Sequence, residues 1–458
     1  MPSPHFVEPP AAHRLPVESI APPASLEATG LPTSVVADLV FKQLLRSGDT
    51  SIAELAAAIA LPLPLLEKLL AFLRDERCVG VPRRGSFDGD VRYELTELGR
   101  ARADDAMRRN QYIGPAPVSL ADYVAQCNRQ RVAGARIAPA RVEQVLSALV
   151  LPAELIGTLG AAVNSQRPLF LYGPSGTGKT WLAEHLVEVL EGAIWVPHAI
   201  EVDGEIIQVF DPLVHRRIDA AAAGGSLDRA RQPDARWVLC ARPAVKLGGE
   251  MTLAMMDLEL DPLTRFYKAP AQLKANNGVL VFDDLGRQRS SAHQILNRWI
   301  VPLDRHIDHL SLRTGLSFQV PFDMLVIFSS NLSPASLDDP AFVRRLGYKV
   351  RLDALDEASY RRVFRQACER AGVEHDEAVA DCLIHELHGR SGMPLFPAYP
   401  LDLVLMVRDR AAYEGHDAAL TPAALRWAWA LYFAAESVEE GYQPTVAHTM
   451  DTKDLMGN

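Results

Sequence analysis

At 458 residues with a formal net charge of −10, the chain is too long for one small domain, and at roughly 150 residues per domain it should hold two or three units. Apolar residues make up 48% and charged residues 23%, the balance of a chain that folds without metals or disulfides, while the acidic excess argues against a general nucleic-acid coat or a membrane-surface protein. The cysteines Cys78, Cys127, Cys240, Cys368 and Cys382 form no Cys-x-x-Cys pair, which fits packing residues in a reducing compartment.

Residues 1–30 are dense in Pro and Ala, and predict an extended or disordered tail. The start has neither a basic stretch nor a continuous apolar run, and no later run is long enough to cross a bilayer, so a cytoplasmic protein without membrane insertion is expected. Residues 31–111 follow as three short amphipathic helices, TSVVADLVFKQLLRSG, SIAELAAAIA and PLPLLEKLLAFLRDERC. Beyond them VGVPRRGSFDGDVRYELTELGR alternates around a Gly/Asp turn like a hairpin. That order predicts an α+β winged-helix domain. Its third helix carries Leu and acids where a DNA-reading helix would offer Arg, Lys, Asn or Gln. Acids and bases balance across the unit and only Arg83 and Arg84, with Arg92 across the wing, are suited to grip phosphate, so a protein-docking or dimerisation module is favoured and DNA binding is the alternative. Residues 112–134, opening with the proline-containing YIGPAPVSL, predict a linker, so the domain before it should fold independently.

Between 135 and 353 apolar strands alternate with helices, which predicts an α/β fold with a parallel sheet covered on both faces. Its strongest signal is Gly173-Pro174-Ser175-Gly176-Thr177-Gly178-Lys179-Thr180, set between the strand LFLY and a helix that begins with Trp181. Glycines let the backbone N–H groups turn toward a phosphate, and the helix N-terminus adds favourable partial charge. This is a P-loop, with Lys179 reaching the β- and γ-phosphates of ATP and the Thr180 hydroxyl taking a Mg²⁺ position. Downstream, Gly278-Val279-Leu280-Val281-Phe282-Asp283-Asp284 is an apolar strand ending in paired acids, where open α/β sheets place their ligands. Asp283 would hold Mg²⁺ through water, and Asp284 would polarise the attacking water.

Together these motifs resemble the AAA+ ATPase superfamily over residues 135–435. The resemblance implies that FDMLVIFSSNL carries a sensor residue, Asn331, orienting the lytic water. It implies that DDPAFVRRLGYKVRL supplies an arginine finger to the next subunit, Arg345 first and Arg344 second, the plain alternative being a solvated basic pair. Two predicted hairpins, one within GGEMTLAMMDLELDPLTRFYKAPAQLKANNG and one in DHLSLRTGLSFQVPFD, are similar to insertions on the MoxR and magnesium-chelatase side of the superfamily. The sequence departs from the family where Asp284 replaces the usual Glu, and where Tyr399-Pro400-Leu401-Asp402 stands in place of a Pro-Arg sensor; Arg408 or Arg410 could substitute for that arginine, although a solvated helix face explains both. Residues 354–435 predict a helical lid and residues 436–458 a polar tail. His385 and His388 lack metal-ligand spacing, and Trp427, Trp429, Tyr432 and Phe433 read as lid core. The implied protein is a ring, hexameric by resemblance, that remodels a partner protein; a DNA-associated motor or a slow ATP-gated switch are the alternatives.

Overall fold

The computed structural model describes residues 18–81, 91–132, 136–218, 233–337 and 339–434. The chain divides into two units, Met1–Gly173 with Lys179–Arg351, and Pro174–Gly178 with Leu352–Asn458.

The larger unit opens with helices Thr33–Ser47, Ile52–Ile59 and Leu63–Asp75. Ser51 and Glu54 close a capping box that starts the second, and Leu65, Leu66, Leu69, Leu70 and Leu73 give the third one buried face. A small antiparallel sheet follows in the order Thr50–Ser51, Arg92–Leu95, Val79–Gly80, and then the helix Glu97–Arg109. The predicted hairpin turn with Arg83 and Arg84 lies outside the described residues. Arg92 is paired with Asp49 at 2.8 Å.

Two expectations fail here. The core of this N-terminal part, with Val36, Leu39, Val40, Leu44, Leu55 and Leu69, also contains Ala199 and Ile206 from far along the chain, so it is not a separate core. Nor is 112–134 a linker. Val118–Ser119 is a parallel strand beside Ala199–Val202, and Leu120–Arg129 is a helix capped by Ser119 with Tyr123, Gln126 and Cys127 buried. Pro115 and Pro117 only precede the strand, where missing N–H groups cost no ladder bonds.

At the centre of the unit is a five-stranded sheet in the order Ala244–Leu247, Val279–Phe282, Leu325–Ser330, Leu169–Tyr172, Tyr348–Arg351, every neighbouring pair parallel. Val279–Phe282 and Leu325–Ser330 are buried at every position, which is why VLVF and LVIF read as unbroken apolar runs. Phe282 meets Trp299 edge-on at 4.8 Å and stacks on Phe328 at 5.2 Å, joining the sheet to the helix Ala292–Arg305. A second, mixed sheet has the order Glu259–Leu260, Tyr267–Lys268, Glu205–Gln208, Ala199–Val202, Val118–Ser119. The first predicted insertion supplies its antiparallel edge pair, and the second is the hairpin Ile307–Ser311 with Ser317–Pro321.

The smaller unit is helical, as its sequence implies: Glu357–Ala371, Glu377–Asp381 running on as a π-helix over Cys382–His388, Ala398–Glu414 and Pro422–Tyr432. Tyr360, Phe364, Leu383, Leu403, Val404 and Leu425 form its core. His388 accepts or shares a hydrogen bond with the Tyr360 hydroxyl at 2.7 Å and packs edge-on against Trp429, so it serves this core. Arg408 lies beside Asp409, and Arg410 pairs with Glu414 and covers the Trp427 ring, as expected of an outer helix face.

Candidate nucleotide site

The strand Leu169–Tyr172 delivers Gly173, and the helix Lys179–Val189 begins six residues later. Gly176 and Gly178 both have φ of 86°, a conformation that side-chain-bearing residues rarely adopt, so the loop needs glycine at these two places. Within the smaller unit Gly176 is held by the Ala398 N–H, which donates to its carbonyl at 3.2 Å, and the Thr177 hydroxyl donates to the Pro174 carbonyl at 2.9 Å.

Lys179 is buried and its ammonium donates to the Gly173 carbonyl at 2.9 Å. Burial lowers its pKa, opposed by the nearby Asp284 and Asp283 carboxylates. The Thr180 hydroxyl donates to Asp283 Oδ1 at 2.9 Å, joining two sequence motifs 103 residues apart. Burial disfavours the Asp283 carboxylate, but Thr180, Ser329 and Lys246 together outweigh it and hold the carboxyl below its ordinary range. A hydroxyl and a carboxylate 2.9 Å apart at a helix N-terminus are hard oxygen donors, so this pair suits Mg²⁺.

Asp284 follows with φ of 53°, a left-handed conformation that Asp tolerates better than most residues. Its turn is fixed by Gln288, whose Nε2 donates to the Asp283 and Asp284 carbonyls at 2.9 and 3.1 Å. The end of the neighbouring strand is tied to the same turn: the Ser330 hydroxyl donates to the Leu285 carbonyl at 2.6 Å, and exposed Asn331 comes next. Trp181 lies half-exposed with its ring 5.7 Å from that of His185.

Arg344 and Arg345 follow the short helix Pro340–Val343, which is capped by Asp339 and anchored by buried Phe342. Arg344 is exposed, whereas Arg345 Nε donates to Asp304 Oδ2 of the same unit at 2.6 Å.

Lys246 was not foreseen from the sequence. It lies on the strand Ala244–Leu247, in register with Val281, and its ammonium is 3.2 Å from Asp283 Oδ2 and 2.9 Å from Glu184 Oε1. A single lysine inside a short apolar strand was the one local signal, and its partners lie 62 and 37 residues away in the chain.

A glycine-rich loop between a strand and a helix, with a threonine hydroxyl bonded to an aspartate at the end of a parallel strand, is the arrangement of a P-loop fold. Residues 152–307 match the family model described as AAA ATPase domain. Residues 356–431 match a second model, described as a domain of unknown function (DUF8689). Similar solved structures include the Thermotoga maritima RuvB Holliday junction branch migration motor, at 14% identity over 66% of this chain and 73% of that one with a TM-score of 0.33. NtrX from Brucella abortus has 15% identity over 61% and 55% with a TM-score of 0.37. Domain III of the Thermotoga maritima replication initiation protein DnaA has 12% identity over 62% and 95% with a TM-score of 0.33. No curated protein matches the chain.

Proposed function

We propose that this protein is an AAA+ ATPase that hydrolyses ATP and couples binding and hydrolysis to the remodelling of a partner protein, with residues 31–111 as the docking surface. The observation that carries the ATPase reading is the 2.9 Å bond between Thr180 and Asp283 beside the buried ammonium of Lys179. Gly173, Pro174, Ser175, Gly176, Thr177 and Gly178 would wrap the phosphates with Trp181 at the head of the following helix, and Lys179 would bridge the β- and γ-phosphates. Thr180 and Asp283 would hold Mg²⁺, which, when bound, neutralises phosphate charge. Asp284 polarises the attacking water and Asn331 orients it.

Copies assemble as a ring in which the paired arginines reach the neighbouring site. Of the two, exposed Arg344 is better placed to leave its own subunit, because Asp304 holds Arg345. Docking is supported by apolar side chains on the N-terminal part, Phe72 at 52% and Leu98 at 48% exposure, which suit a protein surface better than a phosphate backbone.

One set of variants tests this reading. Lys179→Ala removes the cation that bridges the phosphates and should weaken ATP binding by at least tenfold, about 1.4 kcal/mol or more. Replacing both Arg344 and Arg345 by Ala should preserve ATP binding and cut turnover. Mixing the two proteins should restore part of the turnover, since an intact pocket can then face an intact arginine. Unchanged nucleotide affinity in Lys179→Ala would end the site assignment. Failure to complement despite subunit exchange would end the trans-arginine role, and tight, steeply salt-dependent duplex binding would favour DNA as the partner.

A further inference from the structure

Both oxygens of Asp283 are engaged: Oδ1 accepts from Thr180, and Oδ2 faces the Lys246 ammonium at 3.2 Å. The same ammonium is 2.9 Å from Glu184 on the P-loop helix. Lys246 thus stands between two carboxylates of different character. The side chain of Asp283 is 13% exposed, whereas that of Glu184 is 50% exposed.

A carboxylate as enclosed as Asp283 needs a counter-charge, and Lys246 supplies one. A divalent cation placed between Thr180 and Asp283 would supply a larger charge at the same carboxylate, and would repel an ammonium in contact with it. Lysine is a compact charge on a flexible four-carbon stem, and Glu184 already lies within reach, so the ammonium can give up Asp283 without losing every partner. We propose that Lys246 is an exchangeable counter-ion for the metal acid: it neutralises Asp283 while no divalent cation is bound, shifts onto Glu184 when one binds, and so sets the metal concentration at which the site loads. Lys246 is therefore a positioning residue. The proposal rests on the assignment of Thr180 and Asp283 as the metal pair.

The two partners make opposite predictions, whereas a loss of local fold would weaken metal binding in both variants. In the full-length protein, binding of a fluorescent ATP analogue is followed while free Mg²⁺ is titrated. Lys246→Met removes the competitor and should lower the half-saturating Mg²⁺ by about threefold to tenfold, the scale of a partly exposed ion pair. Glu184→Gln removes the alternative partner, leaves the ammonium on Asp283, and should raise that concentration by a similar factor. Lys246→Arg keeps the charge and should stay within about twofold of the parent. Shifts of the same sign in Lys246→Met and Glu184→Gln, or no shift in Lys246→Met, would overturn the exchange. Mn²⁺ binding without nucleotide, read by electron paramagnetic resonance, should follow the same order and separates the two levels of the argument. A parent protein that binds Mn²⁺ in this order but no ATP analogue would refute the nucleotide site and leave the exchange standing, whereas one that binds ATP with metal loading indifferent to Lys246 would refute the exchange alone. Thermal melting of each variant identifies a loss of fold; if one fails to fold, the sign of the shift in the other decides.

Discussion

Lys42 shows how a single residue can leave a mark on the pH dependence of the whole fold. It is 1% exposed in the N-terminal core, its ammonium donates to Asn110 Oδ1 at 2.5 Å, and burial pushes its pKa down to about 8, with Asp38 opposing and Arg109 reinforcing the shift. For a base whose folded pKa lies below its ordinary 10.5, the unfolded chain binds more protons between those two values, so this group makes stability rise with pH from about 8 to 10.5. Below pH 8 its destabilising effect is fully present. Lys42→Met removes the titrating group, although it also leaves the Tyr112 N–H, at 3.3 Å, as the remaining donor to Asn110 Oδ1. The stability of the parent minus that of Lys42→Met, from urea midpoints, should therefore increase across this window by up to ~3 kcal/mol. A difference that stays flat with pH would show that the buried ammonium titrates as it does in water.

At the scale of elements, the helix Leu120–Arg129 is clamped to the start of the Val279–Phe282 strand by a buried polar network. Asn277 Nδ2 donates to Asp323 Oδ2 at 2.7 Å and to the Cys127 carbonyl at 3.0 Å, and its Oδ1 accepts from Gln130 at 3.0 Å. Asn276 Nδ2 donates to the Tyr123 hydroxyl at 2.7 Å. Asn277 has φ of 61°, so Asp at this position would keep the backbone and most of the volume while replacing a donor to Asp323 with a second carboxylate. Asn277→Asp should cost roughly 2–4 kcal/mol in urea unfolding, and Asn277→Ala roughly 1–3 kcal/mol. An Asp variant as stable as the parent would mean that the network carries little of the fold. This clamp also marks the limit of what the sequence makes visible. The P-loop occupies eight consecutive residues, and strands buried on both faces announce themselves as apolar runs, so the central sheet and the first half of the site could be read locally. Asn277 meets Gln130 and Cys127 across 147 and 150 residues, and Lys246 meets Asp283 from a neighbouring strand; no local pattern encodes such pairs. The helix Leu120–Arg129 was concealed for a related reason: prolines just before it dominate the local signal, while its partners Asn276 and Asn277 bond Tyr123 and Cys127 across 153 and 150 residues.

For the larger unit as a whole, the question is whether its N-terminal part melts alone. A truncated chain beginning at Ser119 would lack Val118, the strand partner of Ile200, and would uncover Ala199 and Ile206, which are 0% and 2% exposed. It would also strip the Thr29 and Pro117 carbonyls from Arg236 and the Ile20 carbonyl from the Asp234 N–H, around an ion pair whose side chains are only 4% and 2% exposed. Breaking the surroundings of a buried charge pair while uncovering core surface combines two of the mechanisms behind the largest stability losses, so residues 119–458 alone should lose most of the ~5–15 kcal/mol typical of a folded chain and be recovered poorly as soluble protein. Poor yield could have other origins, so the full-length protein provides the decisive comparison. Leu39→Ala empties a site in the N-terminal core, and Val326→Ala does so in the central sheet; each should cost roughly 1–5 kcal/mol. If the shared core couples the two regions, both variants lower the same calorimetric transition of the larger unit, because unfolding either region exposes the surface they bury together. Should Leu39→Ala move one transition and Val326→Ala a different one, the N-terminal part would be an autonomous domain, and the continuity through Ala199 and Ile206 would be contact without cooperation.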